Sequence, residues 1–273
     1  MPFFDCPDPV LEETWYFRWW VFRKHIKDTG RGRIITDFLP RVPWAGPYNS
    51  INGANGHHIA EARWLKQDRS LVREYLTFWL RGEGQEPSYS SWLADAVYQY
   101  ALVSGEKALA VDFLPELVSF YESVEASNLT KYGLFWSYDD RDAMELSISG
   151  SGLRPTLNSY MYGNAAAIAV IAGWAEKEDI RELYNRKANY LRDKILKVLW
   201  DEKQKFFKVI PQNKRNDEIK EFRFERFAEG RNVMEEIGYI PWSFSIPDER
   251  HDAAWSYLKR EDCFRAPWGI TTA

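Results

Sequence analysis

The sequence has little cysteine, little histidine and little net charge, and each shortage excludes a class of protein. Its 273 residues include 2 Cys and 4 His, and the formal net charge is −4 at pH 7. Cys6 and Cys263 lie near opposite ends with no C-x-x-C spacing, so neither a disulfide framework nor a zinc site is indicated. The weak acidity gives no reason to expect nucleic acid or an anionic membrane surface as a partner.

Long apolar runs are also missing. The longest, AAAIAVIAGWA at 165–175, is too short to cross a bilayer. The first residues, MPFFDCPDP, show neither a basic segment nor an apolar segment, so no secretory signal is visible and a soluble protein is expected. The sequence leaves the compartment and the oligomeric state open.

Aromatic side chains are abundant. The chain contains 13 Trp, and Phe, Trp and Tyr together make up 16% of it. Trp and Tyr offer a flat apolar face with a polar tip, which suits the C–H-rich faces of sugar rings. A large aromatic core is the alternative explanation, and composition alone does not decide between the two.

Helical periodicity dominates the chain, because apolar residues recur at spacings of three and four. The predicted helices lie at 9–28, 56–68, 70–81, 90–104, 106–126, 155–176, 178–200 and 249–260. Almost no segment alternates with a period of two, so the predicted class is all-α. Tight turns alternate with long loops rich in Trp, Tyr, Asn and Gly, which is typical of helical hairpins whose long loops gather at one end.

The segment 138–166, YDDRDAMELSISGSGLRPTLNSYMYGNAA, concentrates carboxylates. Four of them (Asp139, Asp140, Asp142 and Glu145) fall within seven residues. A solvated loop, a metal site and half of an acid–base pair are the three interpretations. The stretch lacks the central glycine of an EF-hand-like loop and has an arginine in its middle, so a metal site is not predicted.

Several segments, taken in order, carry a family resemblance. RPTLNSYMYGNAAAIAVIA, preceded by DAMELSISGSG, is similar to the six-hairpin, (α/α)6-barrel glycosidases of the mannosylglycerate-hydrolase type, a group related to family 63 α-glucosidases and trehalase. Further matching segments are YFRWWVFRKHI, FLPRVPWAGPYNSINGANGHHIAEARWL, YSSWLADAVYQYALVSGE, EEIGYIPWSFSIPD and FRAPWGITTA. The resemblance implies a single catalytic domain over 1–273, an inverting hydrolase acting on an α-linked sugar, a carbohydrate substrate and no cofactor.

The resemblance also implies a general acid. Inverting hydrolysis needs two carboxyl groups about 6.5–9.5 Å apart. The related enzymes carry the acid in a loop resembling D/S-x-G-M-D-N-S, and Glu145 falls on that position, three residues after Asp142. The chain departs from the pattern with Glu for Asp, Ala for Gly and Leu for Asn. Glu145 is therefore the expected acid, Asp142 is the second candidate, and a loop without a catalytic role is the alternative.

Candidate sugar-binding residues surround this loop and occupy the other long loops. Beside it, Arg154 and Asn158 would hold hydroxyls or a carboxylate, although Arg154 could instead pair with the acid loop. The other candidates are Trp19, Trp44, Tyr48, Asn49, Asn52, Trp92, Asp95, Trp136, Tyr160, Tyr239, Trp242 and Trp268. Core packing is the alternative for the aromatic residues, and compensation of the helix dipole is the alternative for Asp95. Two adjacent histidines, 57 and 58, diverge on a helix and are not predicted to share a metal.

The sequence ends within a motif of the family. The relatives carry further helices beyond this point, including the segment with the general base, and about eight or nine helices are predicted here where a closed toroid has twelve. An all-α toroid incomplete at its C-terminus, with an exposed apolar flank, is therefore expected. This chain is expected to carry the general acid but not the general base, and to show little hydrolysis alone. A carbohydrate-binding protein without turnover and a polysaccharide lyase using Arg154, Asn158 and Tyr160 are the alternatives.

Overall fold

The computed structural model describes residues 2–65, 68–84, 88–142, 144, 146–220, 222–227, 230 and 232–273. Most of these residues are helical, which confirms the all-α class. The α-helices are α1 (Pro9–His25), α2 (Asn55–Ala62), α3 (Ser70–Arg81), α4 (Leu93–Ser104), α5 (Lys107–Asp112), α6 (Leu114–Asn128), α7 (Pro155–Trp174), α8 (Glu178–Lys194) and α9 (Ile240–Ser243). The 3-10 helices are Asn52–Ala54, Asp139–Arg141, Phe224–Arg226, Glu236–Tyr239 and Glu249–Lys259, and a π-helix covers Ile195–Leu199.

Helix ends follow local signals in the sequence. The Asp8 carboxylate accepts the N–H groups of Val10 and Leu11 at 2.9 and 3.3 Å and so caps α1. Proline occupies the first turn of α1, α6, α7 and α9, where its missing N–H costs no hydrogen bond. Helix α4 ends at Gly105, whose φ of +78° is a left-handed conformation that glycine adopts readily.

The helices pack as hairpins with an inner and an outer member. In chain order α2, α4, α7 and α9 lie side by side, while α3 packs outside α2, α5 outside α4 and α7, and α6 and α8 outside α7. Helix α7 is surrounded, and nearly all of its residues are buried. Its all-round apolar sequence, with many alanines, fits that position. This inner and outer alternation is an all-α toroid.

The strands are short and serve to shape loops. They are β1 (Ile26–Asp28), β2 (Arg33–Ile35), β3 (Trp136–Ser137), β4 (Gly152–Leu153), β5 (Trp200–Asp201), β6 (Phe206–Phe207), β7 (Ile210–Pro211), β8 (Arg265–Ala266) and β9 (Gly269–Ile270). All pairings are antiparallel: β1 with β2, β5 with β6, β8 with β9, and β4 between β3 and β7. A side chain on Gly152, the first residue of β4, would overlap the carbonyl oxygen of Ile210, so glycine permits this close approach.

Some helix bounds differ from the sequence expectation. The predicted helix 106–126 is two helices, α5 and α6, which meet at Phe113. Pro115 lacks the N–H that would continue the first helix, which accounts for the break. The predicted helix 9–28 stops at His25 because the next residues form β1 and pair with β2. Among the described residues, no helix is long and apolar enough to cross a membrane.

Hydrogen bonds join the loops that precede the inner helices. The side-chain amide of Asn52 donates to the carbonyl of Tyr89 at 2.7 Å, linking the loops before α2 and α4. The N–H of Ser90 donates to the carbonyl of Arg141 at 2.7 Å, linking the loops before α4 and α7. The long loops therefore meet at one end of the inner helices, as the hairpin pattern predicts.

Candidate active site

The acid loop, defined here as residues 138–151, connects β3 to β4. The pairing of Trp136 with Leu153 and of Ser137 with Gly152 brings its two ends together. The hydroxyl of Ser151 donates to the Asp139 carboxylate at 3.2 Å across the base of the loop. Glu145 and its neighbour at position 143 lie outside the described residues, so the loop is characterised by the residues on either side of them.

Arg154, which caps α7, holds the acid loop from inside. Its side chain is fully buried, and Nε and Nη2 donate to the two Asp142 carboxylate oxygens at 2.6 and 2.9 Å. The remaining nitrogen, Nη1, donates to the carbonyl of Gly150 at 2.6 Å and to Ser147 Oγ at 3.0 Å. One planar guanidinium thus contacts the loop both before and after Glu145.

A second buried carboxylate contacts the same loop from a distant segment. Glu235 is 2% exposed, and its Oε1 accepts the Ser147 hydroxyl at 2.8 Å and the Ile148 N–H at 2.8 Å. Asp142, Arg154, Ser147 and Glu235 form one hydrogen-bonded group, called the Arg154 network below. Sequence reasoning did not assign Ser147 or Glu235 to the site, because no spacing relates residues so far apart in the chain.

The Arg154 network contains two carboxylates and one guanidinium. Burial raises the pKa of the Asp142 carboxyl, the hydrogen bonds from Arg154 oppose that rise, and the charge of Glu235 adds to it. The group therefore carries excess negative charge or holds a proton. With both carboxylates ionised the group carries one excess negative charge, which would favour the protonated form of a carboxyl beside it; with one of them protonated the group is neutral.

The residue after Glu145 has an unusual backbone. Leu146 has a φ of +61°, a left-handed conformation that a non-glycine residue rarely adopts, and it is 92% exposed. Its neighbours in the network, Asp142 and Ser147, are buried. Leu146 and Ile148 therefore face solvent on either side of the buried Ser147. Backbone conformations such as that of Leu146 concentrate at functional sites.

Two aromatic rings and a carboxyl lie at the starts of the adjacent inner helices. The ring centroids of Trp92 and Tyr160 are 4.8 Å apart, and Trp92 also contacts His57 at 4.4 Å. A side chain on Gly56 would overlap the Trp92 ring, so glycine lets α2 pack against it. Burial raises the pKa of Asp95, one turn into α4, to about 6. Burial and the charge of Asp142 raise the pKa of the Tyr160 hydroxyl, so Trp92 and Tyr160 lie near the Arg154 network. Asp95 lies beside a later turn of α7, where its N–H donates to Asn164 Oδ1.

A model of the mannosylglycerate hydrolase MGH1-like glycoside hydrolase domain matches residues 47–273. The chain belongs to this glycoside hydrolase family. The family resemblance expected from the sequence is confirmed. None of the curated proteins matches the chain.

Two solved structures are similar to this MGH1-like chain. One, described as a sialidase, is 37% identical with a TM-score of 0.88, and the match covers 98% of this chain and 24% of that one. The other, a family GH78 rhamnosidase from Bacillus sp. GL1, is 13% identical with a TM-score of 0.63, covering 98% and 27%. The second likeness shows the fold alone. The MGH1-like chain spans about a quarter of the length of each of these two proteins.

Three asparagines proposed from the sequence as sugar ligands have their amides engaged within the protein. Asn158 accepts the N–H of Phe135 at 2.8 Å and donates to the carbonyl of the same residue at 2.9 Å. Asn49, with a φ of +57°, donates to the carbonyls of Phe38 and Pro40, and Asn52 joins two loops as described above. In this structure they brace backbone that has no regular partner.

The other aromatic candidates lie in separate neighbourhoods. Trp136 is buried under the acid loop and donates to the carbonyl of Gln212 at 2.8 Å. Trp44 is exposed beside Phe38, and Tyr48 packs on Phe78 and hydrogen-bonds Glu83.

The late candidates form a group of their own. Tyr239 and Trp242 pack together around Trp255, while Trp268 is fully exposed. Phe244 connects this group to the site, because its ring lies 5.7 Å from that of Tyr160. Trp268 lies at the turn between β8 and β9.

A further cavity lies elsewhere, between α1 and α2. This α1 cleft has a volume of about 700 Å³, and its lining includes Trp15, Trp19, Phe22, Asp37, His58 and Trp64. Burial raises the pKa of Asp37 to about 6 and lowers that of His58 to about 3. No cluster of three or more potential metal-ligating side chains occurs within the described part of the chain.

Proposed function

We propose that this MGH1-like chain is the catalytic domain, over 1–273, of an inverting glycoside hydrolase acting on an α-linked sugar, with Glu145 as the general acid. Family membership supports the reaction class. The observation that carries the assignment of the acid is the Arg154 network. Its buried side chains hold the acid loop on both sides of Glu145, and Leu146, between them, is exposed.

In the proposed reaction Glu145 donates its proton to the glycosidic oxygen as the bond from that oxygen to the anomeric carbon breaks. Water attacks the anomeric carbon from the opposite face and loses a proton to a second carboxylate, so the product has the inverted configuration. While both carboxylates of the Arg154 network are ionised, their excess negative charge favours the protonated form of the acid. The faces of Trp92 and Tyr160 suit stacking against the sugar ring.

The second carboxylate is proposed to lie outside residues 1–273. The two buried carboxylates at the acid loop are already engaged: Asp142 binds Arg154 through both oxygens, and Glu235 binds Ser147 and Ile148. The similar sialidase is about four times as long as this chain. A protein of that length has further residues that could supply the second carboxylate.

A carbohydrate-binding protein without turnover is the second candidate function. A general acid is expected in this chain, whereas no general base is assigned to it, and this favours the binding function. A pocket without the base would bind a sugar and not cleave it. The lyase alternative has less support. Both Arg154 and Asn158 are buried and bonded to protein groups, and neither is free to neutralise a uronate.

The test is a panel of aryl α- and β-glycosides, including rhamnosides and sialosides, given to the full-length protein and to residues 1–273. Hydrolysis by the full-length protein, loss in Glu145→Gln, and inversion of the first-formed anomer in proton NMR are expected. Robust hydrolysis by residues 1–273 alone contradicts the placement of the base, and retention of configuration contradicts the mechanism. Sugar binding without hydrolysis supports the second candidate.

A further inference from the structure

Glu235 lies 88 residues after Ser147 in the chain, yet its carboxylate is buried against the acid loop. A charged side chain removed from water is retained only where its hydrogen bonds compensate for the lost hydration. Here both oxygens accept the Ser147 hydroxyl, at 2.8 and 3.0 Å, and one also accepts the Ile148 N–H. These bonds fix the backbone two and three residues after Glu145.

We propose that Glu235 is a positioning residue that sets the place of the general acid. The catalytic part of this inference rests on the proposed function, whereas its structural part does not. Glu235 holds Ser147 and Ile148 in place. The position of the short segment from Ser147 back to Glu145 depends on these two residues.

Ser147 joins two charges on opposite sides of the loop. Its oxygen accepts a hydrogen bond from Arg154 Nη1 at 3.0 Å while its hydrogen points to Glu235. Asp142 binds the other edge of the same guanidinium. The order Asp142, Arg154, Ser147, Glu235 therefore spans the loop as one continuous chain, and Glu235 connects that chain to a different part of the protein.

The segment that carries Glu235 is itself held firmly. The carbonyl of Glu235 accepts the N–H of Gly238, and the N–H of Glu236 donates to the carbonyl of Thr272, both at 2.8 Å. A side chain on Gly238 would overlap the Phe206 ring and the Phe207 carbonyl, so this 3-10 helix sits directly on β6. Glu235 is therefore a fixed support and not a mobile contact.

Removing the carboxylate should release the loop where its backbone is least favourable. Leu146, with its φ of +61°, depends on neighbours that hold it in that conformation. In Glu235→Ala the Ser147 hydroxyl and the Ile148 N–H both lose their acceptor. In Glu235→Gln the amide oxygen still accepts both, although more weakly because the charge is gone.

The activity test compares these variants in the full-length protein. Because a displacement of about 1 Å costs on the order of 100-fold in rate, Glu235→Ala is expected to lower kcat about 100-fold with KM changed less than about threefold. Glu235→Gln should restore kcat to within about tenfold. The matched control is Glu74→Ala on α3. The Glu74 carboxylate likewise accepts a backbone N–H, that of Arg33 at 2.6 Å. This variant should leave kcat unchanged.

The second test needs no substrate. Hydrogen–deuterium exchange of peptides covering 139–151 should be at least about tenfold faster in Glu235→Ala than in the wild type, near wild type in Glu235→Gln, and unchanged in Glu74→Ala. If Glu235→Ala does not fold, Ser147→Ala, which removes the bridging hydroxyl, takes its place with the same expectations.

The outcomes separate the two proposals. Unchanged exchange together with an unchanged kcat in Glu235→Ala overturns the positioning role, as does an equal loss of kcat in Glu74→Ala. If Glu145→Gln keeps full activity the proposed function fails, and faster exchange in Glu235→Ala still supports the structural part of the inference.

Discussion

The acid loop and the α1 cleft differ in how they hold their charged groups. In the acid loop a fully buried guanidinium, two carboxylates and a hydroxyl bond to one another. The α1 cleft is open and lined mostly by aromatic rings, and its one buried carboxylate, Asp37, is held by the Ile51 N–H and the Ser50 hydroxyl. Nε2 of His58 lies 3.9 Å from Asp37 Oδ1, but burial lowers the pKa of His58 to about 3, so this imidazole is neutral near pH 7 and supplies no compensating charge.

The difference has a physical consequence for each region. A network of directional bonds between buried charges fixes one geometry and loses stability sharply when a member is removed. Aromatic packing is less directional, so loss of one ring weakens the region in proportion to the area it buries. The acid loop is therefore held in one geometry by bonds between its buried groups, whereas the α1 cleft depends on the packing of its aromatic rings.

The largest predicted effect is on Arg154. Arg154→Met is expected to lower the free energy of unfolding by about 3–5 kcal/mol, because it leaves Asp142 buried without its partner. Urea denaturation checks this. The control is Arg186→Met, whose exposed pair with Glu182 should contribute less than about 1 kcal/mol. Equal losses in the two variants would mean that the network does not stabilise the fold.

Neighbouring tryptophans on α1 sharpen the comparison. Trp19 is 6% exposed and Trp20 is 51% exposed. Trp19→Ala should therefore cost about 3 kcal/mol or more of unfolding free energy, and Trp20→Ala less than about 1 kcal/mol. Thermal and urea denaturation of both variants checks this, and similar losses would contradict the packing described for this helix.

The pH dependence of stability tests Asp37. Its folded pKa of about 6 lies above the unfolded value of 3.8, so its stabilising contribution is fully present below pH 3.8 and is lost as the pH rises through 6. A rise of that size corresponds to at most about 3 kcal/mol. The lowered pKa of His58 gives the opposite slope in the same range in both proteins, so the Asp37 contribution is their difference: between about pH 4 and 6 the wild type should lose stability relative to Asp37→Asn in urea denaturation series. The same slope in the variant would contradict burial as its cause.

The smallest effect is predicted for Trp268. The side chain is fully exposed, so Trp268→Ala should change the free energy of unfolding by less than about 0.5 kcal/mol. Its fluorescence in the intact protein should be that of a tryptophan in water. A larger loss of stability would show that the residue is packed in solution.

The sequence predicted those features that local patterns carry. The helix predicted at 70–81 is found at Ser70–Arg81, because apolar spacing and the following glycine act locally. The two-residue strands that frame the acid loop are too short to show a period of two. The sequence leaves two alternatives for Arg154, namely contact with a sugar and pairing with the acid loop. Twelve residues and a turn separate Arg154 from Asp142, so no local pattern decides between them.

Other parts of the site depend on contacts that no pattern marks. Glu235 meets Ser147 only because the toroid folds its segment beside the acid loop. The asparagines suggested sugar binding, but Asn49 and Asn158 satisfy backbone groups of irregular loops, which an amide does well because it both donates and accepts.

The most direct test of the central claim, that Glu145 is the general acid, varies the leaving group in the full-length protein. Wild type and Glu145→Gln are compared on an alkyl glycoside and on a dinitrophenyl glycoside of the same sugar. The alkyl leaving group needs a proton, so its hydrolysis should fall about 100-fold or more, whereas that of the dinitrophenyl glycoside, whose phenolate leaves unaided, should change little. Equal losses on both substrates, or no loss on either, would contradict the assignment.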